Sequence, residues 1–174
     1  MRQDFKNRLR KIVTVKQLKN NFIRLAILSS ILLIACTNND TFFQYNAIAP
    51  QGWNKDSLCV FEIPITDVNS SYNVYVNVRN RGEYPYQNLW LFMQKMSPDS
   101  VVVNDSIELY LADQRGKWLG SGIGSVMEMP VLYQQNVKFQ SKGKYQYKIG
   151  HGMRDSVLVG INDIGMRVEK VGSK

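Results

Sequence analysis

His151 is the only histidine in the chain, and Asp155 and Ser156 follow it within five residues. An imidazole near a carboxylate and a hydroxyl could supply a general base and a nucleophile, or a ligand for a metal ion. Proximity in sequence is not a triad, however. The chain has no Gly-x-Ser-x-Gly elbow, no His-x-x-x-His pair and no second Cys/His cluster that would complete a zinc site. The plainer reading, a histidine at a strand end held there by a hydrogen bond, is the stronger one. Gly120-Ser121-Gly122-Ile123-Gly124 could suggest a phosphate cradle, but it lacks the Gly-Lys-Ser/Thr ending, and Pro130 follows where a helix would have to run. Those glycines suit a bulged strand or tight turn beside Trp118. Asp99, Asp105, Glu108 and Asp113 are spread over turns and an exposed strand face, and match neither a calcium loop nor a placed acid/base pair. No enzymatic activity, cofactor or metal is expected.

Cys36 is the residue with the clearest chemistry. Eight of the 22 Lys and Arg residues, and only Asp4 among the acids, precede the apolar stretch from Leu25 to Ala35. A basic region followed by a short apolar one is the pattern of an export signal. The apolar stretch is about eleven residues long, against the roughly 20 that a membrane-spanning helix needs. Leu33-Ile34-Ala35-Cys36 resembles the lipobox of bacterial lipoproteins, which implies diacylation of Cys36, cleavage after Ala35 and a mature chain that begins at the lipidated cysteine. An ordinary signal peptide or uncleaved anchor is the alternative. The basic region is long for such a signal, which leaves a later start codon open.

Cleavage there changes what the composition means. The net charge of +8 belongs mostly to the signal: 14 basic residues remain against 13 acids, a net of +1. Nucleic-acid binding, which needs basic residues clustered on one folded face, loses its support. Lys138, Lys142, Lys144 and Lys148 come close together, but in a strand-turn-strand pattern that suits a solvated face or a protected edge. With Cys36 acylated, Cys59 has no partner in the chain. Within the apolar run Leu58-Cys59-Val60-Phe61 it reads as a small core residue, an intermolecular disulfide being the alternative.

The elements that must position these residues are strands. Tyr72, Val74, Val76 and Val78 alternate with Asn73, Tyr75, Asn77 and Arg79, which predicts a half-buried strand. Leu89-Trp90-Leu91-Phe92-Met93 is apolar throughout and short, as expected of a central strand covered on both faces. Alternation recurs at Ile107, Leu109 and Leu111, at Tyr145, Tyr147 and Ile149, and at Ile164, Met166 and Val168. Turn signals fall at Asn80-Arg81-Gly82, Ser97-Pro98-Asp99, Asp113 to Gly116, Ser141-Lys142-Gly143 and Asn162-Asp163. Nothing after residue 36 shows a sustained helical period. The fold class predicted is all-β, a single antiparallel β-sandwich of immunoglobulin-like or jelly-roll-like type. Residues 1–35 form the signal, 36–50 the lipidated N-terminus and a short tether, and 51–171 the sandwich domain. Gly143-Lys144-Tyr145 resembles a tyrosine corner, whose phenol bonds back to upstream backbone.

Several motifs in order carry a wider resemblance. They are Gly52-Trp53-Asn54-Lys55-Asp56-Ser57, Tyr84-Pro85-Tyr86-Gln87-Asn88-Leu89, Leu111-Ala112-Asp113, Gly116-Lys117-Trp118-Leu119-Gly120, His151-Gly152-Met153-Arg154, and the run from Gly160 to Arg167. Together with the lipobox they resemble the gliding-motility lipoprotein family GldH of the Bacteroidota. The resemblance implies an envelope lipoprotein needed for gliding where the host glides, associated with the type IX secretion and motility machinery. It brings no catalytic residues. Its expected partners are the membrane, through lipid on Cys36, and other gliding or secretion lipoproteins and envelope proteins. The outer membrane is favoured over the inner. Tyr84, Tyr86, Trp118, His151 and Arg154 form the candidate partner surface, because Pro85 rigidifies the first two rings and Trp118 stands beside permissive glycine backbone. Core packing is the competing reading of each. A lipid-anchored glycan- or ligand-binding module is the alternative function.

Overall fold

The computed structural model describes residues 40–122 and 124–172. The export signal and Cys36 lie outside the described residues. The described residues form ten strands: β1 (Asp40–Ala47), β2 (Trp53–Asn54), β3 (Cys59–Ile65), β4 (Tyr72–Arg81), β5 (Asn88–Met96), β6 (Val102–Tyr110), β7 (Val126–Val137), β8 (Gly143–His151), β9 (Val157–Leu158) and β10 (Ile161–Lys170). Eight of them make two four-stranded antiparallel sheets, ordered β1-β10-β4-β7 and β3-β8-β5-β6, and β2 pairs with β9 alone.

The pairing has one underlying rule. β5 pairs with β6, β4 with β7, β3 with β8, β2 with β9 and β1 with β10. The chain is therefore a single long hairpin whose arms run antiparallel from the turn at 97–101. Rolling that hairpin up adds the contacts of β10 with β4 and of β5 with β8 and closes the two sheets. Apart from the β5–β6 hairpin, each successive long strand lies in the opposite sheet. This is the jelly-roll arrangement, which decides between the two sandwich types expected.

Period-two alternation places the core. Cys59, Phe61, Ile63 and Ile65 point inward, while Val60, Glu62 and Pro64 stay exposed. From the other sheet, Val74, Val76, Val78, Ile164, Met166 and Val168 are fully buried against them. Cys59 is buried and free, the core residue expected, and burial pushes its thiol pKa up to about 11. Both strand prolines avoid central ladders: Pro64 lies on β3 and Pro130 on β7, each at a sheet edge. At the base of the sandwich, the Tyr145 hydroxyl donates to the Ser141 carbonyl and accepts from the Ser141 N–H, both at 3.1 Å, so the tyrosine corner is formed. Phe139 packs between Tyr145 and Tyr72 at ring distances of 4.6 and 5.4 Å.

The structure departs from the sequence reading at three places and decides or extends it at two more. β1 occupies most of the stretch read as tether, so the folded domain begins by Asp40 and not at residue 51. Phe42, Tyr45 and their neighbours find partners on β10, which local sequence cannot reveal. Asn162-Asp163 is not a turn between strands; it is a register shift inside the pairing of β10 with β4, where a polar pair is tolerated because the ladder is interrupted. β7 runs for 12 residues with little alternation in burial, being an edge strand. β8 is an interior strand, so Lys144 and Lys148 mark a solvated face and not an edge. Finally, β5 is central as predicted but covered on one face only. Leu89, Leu91 and Met93 are buried, while Trp90 and Phe92 are 40% and 56% exposed.

The connections sort into two ends. The chain enters at Asp40 beside the segments 66–71, 97–101 and 138–142, which form the base. Segments 48–58, 82–87, 111–125 and 152–160 gather at the far end, where the family-like motifs lie.

Candidate functional site

Of the five residues assigned to a partner surface, two are interior. His151 ends β8 in phase with Tyr145, Tyr147 and Ile149 and is 1% exposed. Its Nε2 lies 3.0 Å from the Trp53 carbonyl, and because a carbonyl can only accept, Nε2 carries the proton. Trp53 also meets the imidazole edge to face at 5.3 Å. Nδ1 has no hydrogen-bond partner. Burial is the main influence on His151 and lowers its pKa, so the ring is neutral at pH 7. The carboxylate that could have made a triad is engaged elsewhere: Asp155 accepts the Tyr86 hydroxyl at 2.6 Å. His151 is a strand-end structural residue. Among the described residues no group of three His, Cys, Asp or Glu side chains is placed to hold a metal.

Tyr84 is likewise buried, its hydroxyl donating to the Asn88 carbonyl at 2.7 Å. A phenol with a local acceptor can enter the core, and this one does. Gly160, at φ +82°, makes that possible: a Cβ there would stand 2.5 Å from the Tyr84 backbone. Trp118 is half-buried against the core and tilted over Tyr84 with ring centroids 6.4 Å apart. Beyond it, Ser121 and Glu128 pair through both backbone hydrogen bonds, and Gly120 and Gly122 sit so close to the returning strand that a side chain would strike the Glu128 and Val126 carbonyls. The glycine run is the tight turn expected, with no cradle.

Tyr86 and Arg154 are exposed, and the fold brings them together with two residues that sequence reasoning had placed under cover. Tyr86, Trp90, Phe92, Gly152, Met153 and Arg154 line a cleft of about 480 Å³ on the outer face of the β3-β8-β5-β6 sheet. β5 supplies Trp90 and Phe92, two residues apart on one face. The His151-Gly152-Met153-Arg154 segment continues alongside β5 after the ladder ends. Gly152 N–H donates to the Trp90 carbonyl at 2.7 Å, and the Trp90 N–H donates to the Met153 Sδ at 3.4 Å.

Glycine at 152 has a specific effect. A Cβ at that position would lie 3.1 Å from Cε2 and Cζ of Phe92 and 3.2 Å from the Trp90 Cβ. The Phe92 ring is therefore folded over the glycine backbone and turns a face to solvent. Across the sheet, Phe92 neighbours Ser106 on one side and Gly150 on the other, where the exposed Leu58 side chain covers the glycine. Tyr86 is fixed from two sides, by its bond to Asp155 and by an edge-to-face contact with Tyr84 at 5.9 Å. The Asp155 bond raises the Tyr86 pKa, keeping the phenol protonated. The arrangement can stack flat ligand faces and offer a guanidinium at the rim. The alternation of bulky rings with leucines in 89–93 was the available signal; the run alone does not say how many faces are covered.

The sequence profile of the family described as GldH lipoprotein matches residues 40–168. The gliding motility lipoprotein GldH homolog of Christiangramia forsetii is 36% identical over 151 residues, 83% of this chain and 92% of that protein. The gliding motility lipoprotein GldH of Flavobacterium johnsoniae is 34% identical over 161 residues, 88% of this chain and 98% of that protein. Among solved structures, that of infectious bursal disease virus Gt strain aligns at 14% identity with a TM-score of 0.28, over 75% of this chain and 29% of that one, too loosely to inform the reading.

Proposed function

The chain belongs to the GldH lipoprotein family, and on that premise we propose that it is a non-catalytic assembly or stabilising factor of the gliding apparatus, associated with the type IX secretion machinery and anchored in the outer membrane through acyl chains on Cys36. The observation that carries this reading is the end-to-end match to relatives named for gliding motility, which spans 98% of the Flavobacterium johnsoniae protein. Two structural features support it. His151, the best catalytic candidate, is occupied with Trp53 and shielded from solvent. Only Thr37, Asn38 and Asn39 stand between Cys36 and β1, so acylation would hold the base of the sandwich against the membrane and present the Trp90–Phe92 cleft at a distance from it.

The test is complementation in a gliding relative that lacks its own GldH. This chain should restore colony spreading and export of type IX cargo, and the Cys36→Ala form should restore neither. Full rescue by the unacylated form would overturn the anchored role, and rescue of spreading without cargo export would overturn the link to secretion. Density-gradient separation of the membranes reads out the outer-membrane assignment. A second reading, the glycan-binding module, is favoured by one specific observation: the open ring faces of Trp90 and Phe92.

A further inference from the structure

We propose that the Trp90–Phe92 platform is a binding site for an acidic glycan, in which a pyranose stacks on the two rings and its carboxylate is received by Arg154. The inference rests on the envelope location given above, where such polymers are at hand, but not on the assembly role.

The footprint is the first argument. Trp90 and Phe92 stand as a pair of exposed rings, with Leu58 on the β3 side and groups suited to hydroxyls on the β6 side. Ser106 lies opposite Phe92, Glu108 opposite Trp90, and the Gln94 side-chain amide donates to Asn104 at 3.1 Å one step further along. A pyranose has this same division, an apolar C–H face bordered by hydroxyls. The cleft volume of about 480 Å³ falls within the range of small-ligand sites.

Preorganisation is the second. Gly152 leaves room for the Phe92 ring to lie against its backbone, and Leu58 covers Gly150 on the far side, so the ring is held from both flanks while staying more than half exposed. The bonds from Gly152 and Met153 to the Trp90 backbone fix the strand beneath both rings. Stacking on fixed rings carries little entropic cost.

Charge decides the class of sugar. Arg154 is exposed at the rim and forms no ion pair among the described residues, while the neighbouring Asp155 is engaged by the Tyr86 hydroxyl. A guanidinium fork matches a carboxylate with two parallel hydrogen bonds. On the other flank, Lys148 lines a second depression of about 350 Å³ that shares Phe92 with the first. The two cations bracket the stacking surface, and the carboxylates near it are engaged, Glu108 by Asn88, Asp105 by Tyr133 and Asp155 by Tyr86, so successive acidic residues of an oligosaccharide would meet one cation each.

The full-length protein, extracted from membranes in detergent, is titrated by calorimetry and tryptophan fluorescence with tetragalacturonate, a mannuronate tetramer and a hyaluronan tetrasaccharide. The methyl ester of tetragalacturonate serves as the neutral counterpart. At least one acidic oligosaccharide should bind, and the ester should bind about tenfold more weakly or not at all. Phe92→Ala should abolish binding without lowering the melting temperature, because the ring is exposed. Arg154→Gln should reduce acid binding to the level of the ester. Absence of binding by all three acids overturns the proposal, as does binding that survives Phe92→Ala. Equal binding of acid and ester overturns the carboxylate assignment. If no saccharide binds but Phe92→Ala removes crosslinking to an envelope protein, the platform is a protein interface and the proposal fails, with the motility reading intact and tested separately by complementation.

Discussion

The buried neutral imidazole of His151 makes the stability of the domain pH-dependent in a defined window. In the unfolded chain this histidine titrates near its ordinary pKa of about 6.5. In the folded protein its pKa is lowered, above all by burial, which outweighs the opposing Trp53 bond; Lys55 lowers it further and Asp155 opposes. A depressed folded pKa means that the unfolded state binds the proton and the folded state resists it. Stability is therefore complete above the unfolded pKa and falls as pH drops below it, by at most about 1.4 kcal/mol per pH unit until the folded group also titrates. For a domain of this size the upper limit of that slope is a fall in melting temperature of about 4–6 °C between pH 6 and pH 5. No other side chain should contribute there, because His151 is the only histidine. Asp67 and Glu128, whose pKa values are held down in the fold, by Lys170 in the first case and by Tyr45 and Arg79 in the second, lose their contributions only at lower pH. Calorimetric melts from pH 7.5 to 5.0 on the native protein and on His151→Gln, whose amide can still donate to the Trp53 carbonyl, check this. The variant should show a flat profile over the window. A native profile that is already flat, or a slope that persists in His151→Gln, would refute the reasoning.

Four further outcomes follow from the geometry. Gly160→Ala should cost about 3 kcal/mol or more in chemical denaturation, since it combines a positive φ with collision against the Tyr84 backbone. Tyr145→Phe, which removes both corner hydrogen bonds to Ser141, should cost about 1–2 kcal/mol in the same measurement. Trp118→Ala should cost less than the roughly 3–5 kcal/mol of a fully buried tryptophan, because the ring is half-buried; a loss in that higher range in thermal melts would assign it wholly to the core. Cys36→Ala should shift the protein from the carbonate-washed membrane fraction into the supernatant or leave it unprocessed, because stable anchoring needs more than one acyl chain.

Sequence reasoning reached the sheets wherever one face is buried and the other wet. The alternation in 72–79, 145–149 and 164–168 is visible because each of those strands contributes a row of fully buried residues. It failed where burial is one-sided in a different sense. β1 and β7 are edge strands, whose pattern is blurred by partial exposure, and their existence depends on partners more than thirty residues away in sequence. Trp90 and Phe92 show the converse problem. An all-apolar run is the signature of a doubly covered strand, and only the three-dimensional structure shows that nothing covers the second face. Tyr86 and Arg154 could be picked from the sequence as candidates, but the rings that line the same cleft could not. His151 and Tyr84 carry polar atoms that are satisfied in whole or part inside the fold, His151 by a Trp53 carbonyl nearly a hundred residues away, so their burial could not be read locally.

The nested order of strand pairing has a consequence for biogenesis. Among the described strands the first, β1, pairs only with the last, β10, so in an exported chain its ladder would stay open until the C-terminal strand has crossed the membrane. The innermost hairpin, β5 with β6, joins strands adjacent in sequence across the turn at 97–101 and closes its loop at the smallest entropic cost. Each outer pair then spans a longer interval, and zipping proceeds from the middle of the chain toward both ends. Export thus delivers an open chain, and the domain locks as a final act when its C-terminal strand arrives. Removing β10 would leave β1 and β4 with bare edges facing each other, which is the form of this protein most exposed to aggregation and to envelope proteases.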